Sequence, residues 1–122
     1  MNLLCLDTEV RTALIADTVL VGLLGGPKVY QPNQPNNNQW PAVVFEEISN
    51  VPALGADNTE KLTRITYRIL VYSQETLVPI MNAVERVMIG INFVRHSSGN
   101  LHDLPVGLRG KEILFITLRE SV

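Results

Sequence analysis

Apolar and polar residues follow two different periods along this chain, and the switches between them divide it into elements. Val10, Ala13, Leu14 and Asp17 recur at spacings of three and four, with Leu6 one turn earlier on the same stripe. That is the repeat of an amphipathic helix, here from Asp7 to Ala16. Asp7 or Thr8 is placed to cap it, because a side-chain oxygen can accept from the unpaired amides of the first turn. A second short helix is expected from Thr18 to Leu24, capped by Asp17 or Thr18 and stopped by Gly25-Gly26-Pro27. Glycine takes the left-handed position after a last turn, and proline cannot continue the helix. Val29-Tyr30 then reads as a short strand, and Gln31 to Gln39 (QPNQPNNNQ) as a loop.

From Ala42 to Ser49 (AVVFEEIS) the chain reads as a strand with a buried front half, followed by a long loop from Asn50 to Lys61 that contains Pro52 and Gly55. Leu62 to Tyr72 has the strictest alternation in the chain. Ile65, Tyr67, Ile69 and Val71 fall on one face, and Arg64, Thr66 and Arg68 on the other, which marks a half-buried strand. The period then changes. Leu77, Ile80, Met81, Val84, Val87 and Met88 recur at three and four, predicting a helix from Glu75 to Ile89 with Ser73 as N-cap and Gly90 as its end. Pro79 sits near enough to the start to be tolerated there. Ile91 to Val94 is read as a short strand, and Arg95 to Gly110 as a third loop with a short paired segment at Leu101 to Leu104. Glu112 to Glu120 (EILFITLRE) is apolar on both faces at its centre, so it belongs inside a sheet. The order ααβββαββ predicts an α+β fold, a mostly antiparallel sheet of four to five strands packed on two to three helices, in one domain spanning 1–122.

Composition narrows the class without naming a function. The 122 residues are 46% hydrophobic and 18% charged, which excludes a disordered chain. Ten basic and twelve acidic residues give a net charge of −2, too little positive charge for tight nucleic-acid binding. Cys5 is the single cysteine, so no disulfide forms within the chain, and its leucine neighbours suggest a packed thiol. The first residues lack a signal peptide pattern, and no run approaches the roughly 20 apolar residues of a membrane span.

Candidate chemistry is sparse. Gly22, Gly25 and Gly26 match neither phosphate-binding glycine pattern, and no nucleophile motif is present. His96, His102 and Asp103 could contribute to a metal site, but six residues in a loop is not a ligand spacing, so solvated histidines are the preferred reading. Glu46 and Glu47 are adjacent on a strand and point to opposite faces, so they cannot act as a carboxylate pair. One should face solvent, the other a sheet margin or a subunit interface. Arg64 and Arg68 share the outward face of their strand and are candidates for pairing with acids of a neighbouring strand or subunit. The chain reads as a structural subunit without cofactor or metal rather than as an enzyme.

The order of landmarks resembles that of the phage tail completion proteins, the tail terminator or tail-to-head joining family of long-tailed phages. The resemblance runs from about Val10 to Glu120. It is carried by the opening helix, Ala16-Asp17, Val21 to Leu24, Gly25-Gly26, Val29-Tyr30, Pro41-Ala42-Val43-Val44-Phe45, Val71-Tyr72-Ser73 and Ala83-Val84-Glu85-Arg86-Val87. It departs at Pro27-Lys28, where the family tends to place an arginine after the paired glycines. The resemblance implies a virion protein that forms a homo-oligomeric ring, a hexamer in the family, at the head-proximal end of the tail tube. Its implied partners are further copies of itself, the tail tube protein and the head completion or connector protein. Genomic DNA would pass through without specific binding, and no membrane is involved. The loops Val51 to Lys61, with Asp57 and Asn58, and Arg95 to Arg109, with His96 and His102, are expected to carry partner contacts. Arg64, Arg68 and the Glu46-Glu47 pair are expected at subunit contacts. Two rival readings remain open: a different neck adaptor or a tail tube subunit, and a small ligand-binding α+β domain of the host.

Overall fold

The computed structural model describes residues 5–32, 40–53 and 62–120. Its elements run α1 (Asp7–Ala16), α2 (Thr18–Leu24), β1 (Val29–Tyr30), β2 (Ala42–Ala53), β3 (Leu62–Ser73), α3 (Val78–Gly90), β4 (Val94–Asn100) and β5 (Arg109–Glu120). The ααβββαββ order and the α+β class are as the patterning predicts. One five-stranded sheet has the order β1-β2-β3-β5-β4. Only the β1–β2 pair is parallel. β5 lies between β3 and β4, inside the sheet as its two-faced apolar centre requires.

The three helices pack on one face of the sheet. Val10 and Leu14 of α1, Leu20 and Leu24 of α2, and Ile80, Ala83, Val84 and Met88 of α3 close over Val43, Phe45, Ile65, Tyr67, Ile69, Val71, Ile113 and Phe115. Burying such side chains supplies about 1.5–3 kcal/mol each before entropy is counted. The break between α1 and α2 is made by Asp17, in extended conformation, whose Oδ1 accepts from the Leu20 amide. Gly25, at φ 76°, provides the left-handed cap of α2.

Several boundaries differ from the sequence reading. Neither Asp7 nor Thr8 caps α1. Leu6 holds that position without a side-chain bond, and the Asp7 carboxylate accepts from the Tyr67 hydroxyl and from Gln31 Nε2 instead. α3 starts at Val78 rather than Glu75, with Pro79 in its first turn. Ser73 is the last residue of β3, and its Oγ accepts from the Glu75 amide in the turn before the helix. β2 continues through Pro52 to Ala53, where a loop was expected. β1 covers only Val43 and Val44, so Pro52 lies where the outer side of β2 has no described neighbour and a missing donor is harmless. Residues 91–92 form a turn rather than a strand, with Asn92 at φ 70°. The strand that follows, β4, occupies what reads as the start of the third loop, because all seven of its residues are exposed and no apolar alternation marks it. Cys5 is exposed rather than packed: Leu6 takes the buried position beside it.

Candidate functional site

The sheet face opposite the helices is only partly covered, and most of the residues singled out from sequence gather on it or at its edges. Cross-strand pairing defines this face. Ala42, Tyr72 and Gly110 lie at one end, Val44, Leu70 and Glu112 follow, then Glu46, Arg68 and Leu114, and finally Val51, Arg64 and Leu118. At the first end residues 101–108 fold back over the sheet. The Leu101 amide donates to the Gly110 carbonyl, and Leu104, Pro105 and Leu108 line a cleft with Trp40, Val44, Leu70 and Tyr72. The Trp40 and Tyr72 rings pack at 5.1 Å between centroids with their planes tilted by 44°. Gly110 makes this close approach possible. A Cβ there would meet Leu101 Cδ1 at 2.8 Å and Leu104 Cδ1 at 2.9 Å.

The middle of the face is ionic. Arg68 donates to Glu46 on β2 and, at 3.4 Å, to Glu112 on β5. The Glu46 hydrogen bond is the main reason its guanidinium is held above the ordinary arginine range. Arg68 therefore takes its acidic partners from its own neighbouring strands, one of the two arrangements the sequence allowed. Its Nε is buried without a hydrogen-bond partner among the described residues. Glu46 and Glu47 diverge as adjacent strand residues must: Glu47 is exposed and accepts from Asn50 Nδ2.

The far end is open and apolar with a basic rim. Leu118 is 54% exposed and Val94 64%, with Leu62 and Val51 at 39% each. A shallow cavity of about 510 Å³ here is lined by Arg64, Val94, Arg95, His96, Ile116 and Leu118, among others. Arg64 makes no ion pair among the described residues, whereas Arg95 reaches Glu85 of α3 at 2.9 Å. His102 lies apart from this cavity. It is exposed in the fold-back segment, as is Arg109 at the start of β5. Asp57 and Asn58 lie outside the described residues. No group of three or more His, Cys, Asp or Glu gathers among the described residues, and no described helix is long and apolar enough to cross a membrane.

Sequence reasoning missed the contacts that bind the helices to the sheet and to one another. Tyr67, fully buried, donates to Asp7. Burial, then that hydrogen bond, pushes its phenol far above the usual range, so it stays protonated. Arg86 of α3 clamps Asp17 with bonds of 2.8 and 2.7 Å, and this pairing holds the Asp17 carboxyl below its ordinary value. Arg119 joins Glu9 at 2.6 Å, the Ile91 carbonyl at 2.7 Å and the face of Phe93. These partners are too far apart in sequence for spacing to reveal them.

The family model of tail completion protein gp17 matches residues 8–103. No curated protein matches the chain. Among solved structures, the chain is similar to a component of the virion of a native gene transfer agent particle, at TM-score 0.68 and 17% identity over 92% of each chain. At that identity the likeness speaks for the fold.

Proposed function

The chain belongs to the family of tail completion protein gp17, a family of phage tail structural proteins, and on that premise we propose that it forms a ring on the head-proximal end of the tail tube. There it stops tube polymerisation and presents a surface to the head connector. The observation that carries this reading is the family match, which covers most of the chain, including the helical layer and β1 to β4. The partly covered sheet face agrees with it. A closed ring needs two different patches on each subunit, and an apolar end with a basic rim beside an ionic centre offers such material. The similarity to a gene transfer agent virion component supports a place in the virion; the junction of tail and head as that place, reached after assembly in the host cytoplasm, is part of the proposal.

In this reading the ring contacts itself, the tube protein and the head completion protein, and DNA slides through without a specific site. The weak net charge of −2 suits that passage. The fold-back segment 101–108 and the β4 region, with Arg95, His96, His102 and Arg109, are assigned to partner contacts. Arg64, Arg68 and the Glu46-Glu47 stretch are assigned to subunit contacts.

Tube growth tests the reading. Tube protein is allowed to polymerise with and without small amounts of this chain, and tube lengths are measured by electron microscopy. Shortened tubes carrying extra density at one end support termination. Unchanged lengths with no end density contradict it, and long tubes built from this chain alone would make it a tube subunit.

A further inference from the structure

β5 carries charge of opposite sign at its two ends. Arg109 and Lys111 stand at its start and Glu120 at its finish, and none of the three makes an ion pair among the described residues. At about 3.4 Å per residue the two ends lie roughly 35 Å apart, so these charges cannot meet within one copy. Each end also presents apolar surface. At the start, a cleft of about 610 Å³ opens between the first turn of α3 and residues 101–108, where Leu77, Val78, Leu101 and Leu108 lie beside Arg109 and Lys111. At the finish, exposed Leu62 and Leu118 flank Glu120. From this pairing of ends we infer that the Leu118–Glu120 end of β5 in one copy docks in the cleft of the next, with Glu120 set against Arg109 and Lys111. The inference rests on the ring reading above and names its interface.

The docking end of β5 is held in place before it meets anything. Arg119, between Leu118 and Glu120, is fixed on the helix side by Glu9, the Ile91 carbonyl and the face of Phe93. Successive strand residues point to opposite sides, so Leu118 and Glu120 are directed away from the helices. A strand end already ordered loses little freedom on binding. Charge then favours a second copy as occupant. The cleft supplies Arg109 and Lys111 for Glu120, and its Asp103 supplies an acid for Arg64, the cross-strand neighbour of Leu118. Neither Asp103 nor Arg64 makes an ion pair among the described residues. Such pairs set register and choice of partner, while the apolar groups between them supply the burial. Position favours the same occupant. Arg109 pairs with Ser73 and Lys111 with Val71, on the helix side of the sheet, whereas Leu118 pairs with Arg64 on the other side. The two patches thus lie at opposite ends and on opposite faces, and copies can meet there without either being turned over. Because the patches differ, the contact is heterologous, the kind that repeats head to tail until rotation closes it.

Charge reversal in the full chain tests the docking, read as assembly mass alone and with tube protein. Glu120→Lys in one variant, and Arg109→Glu with Lys111→Glu in another, should each weaken assembly at least about tenfold. Thermal unfolding of both should stay near that of the parent, because none of the three side chains is buried. Mixing the two variants should restore assembly, since each then finds a complementary neighbour on both sides. The triple variant, with both signs exchanged, should recover likewise. Loss that neither mixing nor the triple variant repairs overturns the docking. A closed ring indifferent to both reversals overturns it too and leaves the ring reading intact. A cleft variant that keeps its ring but no longer binds tube ends gives the cleft to the tube protein, and also overturns the docking. No closed assembly of the unaltered protein under either condition overturns the ring reading and this inference together.

Discussion

On the helix side of β3, Thr63, Ile65, Tyr67, Ile69, Val71 and Ser73 are all buried. On its other side Leu62 and Arg64 are exposed, and Thr66, Arg68, Leu70 and Tyr72 are only half covered. One strand thus takes part in two environments that differ in kind. The helix side is closed by side chains the domain supplies itself, and its few polar groups are tied off, as Tyr67 is by Asp7. The other side is closed at one end by residues 101–108 and left open at the end that carries Leu118, Val94 and Arg64. A folded monomer gains nothing from leaving large apolar groups in water, so the open end is where stability and function should separate.

Substitutions that treat the two sides alike should break the comparison if it is wrong. Phe115→Ala, on the closed side, is expected to cost about 3–5 kcal/mol in denaturant unfolding, from lost transfer energy and a cavity. Leu118→Ser, three residues along on the open side, should change unfolding by no more than about 0.5 kcal/mol, yet reduce assembly. Equal losses from the two would remove the distinction. Gly110→Ala probes the covered end of the open side. Crowding against Leu101 and Leu104 should cost about 1–3 kcal/mol and loosen the fold-back segment, measured as faster amide exchange over 101–108. Tyr67→Phe keeps the ring and deletes one hydroxyl, leaving the Asp7 carboxylate short of a donor. A loss of about 1–2 kcal/mol is expected.

The smallest effect concerns Asp17. Its carboxyl is held below the ordinary 3.8, first by the Arg86 hydrogen bond and then by the Leu20 amide. A depressed folded-state value means that its contribution is complete above the unfolded value and is lost as pH falls through the lower folded one. Asp17→Asn retains a capping oxygen but not the charge. It should cost no more than about 1 kcal/mol at neutral pH, and the gap to the parent protein should close below about pH 4. A gap independent of pH would place the effect elsewhere.

How much was legible in the sequence follows the same division. β3 and α3 announce themselves because one side of each is buried, and burial writes a period into the residues. β4 leaves no such trace: VRHSSGN has no buried residue, so its strand geometry comes from pairing with β5 rather than from its own pattern. The last four residues of β2, Asn50 to Ala53, were hidden by Pro52, which signals a turn unless the strand is known to lie at an edge. Arg68 was recognisable as an outward charge beside neighbouring strands, and Glu46 follows from the register. The Tyr67–Asp7 bond spans 60 residues and had no local signature. Arg64 with the exposed Val94 and Leu118 became a site only when three strands set them side by side.

The central claim, that this tail completion family member works as a closed ring, is tested most directly by native mass spectrometry of the intact protein, alone and mixed with tube protein. The account predicts one dominant closed assembly, six copies as the family resemblance implies, either in isolation or on tube ends. A monomer in both conditions, or an open series of masses without a preferred size, would contradict it.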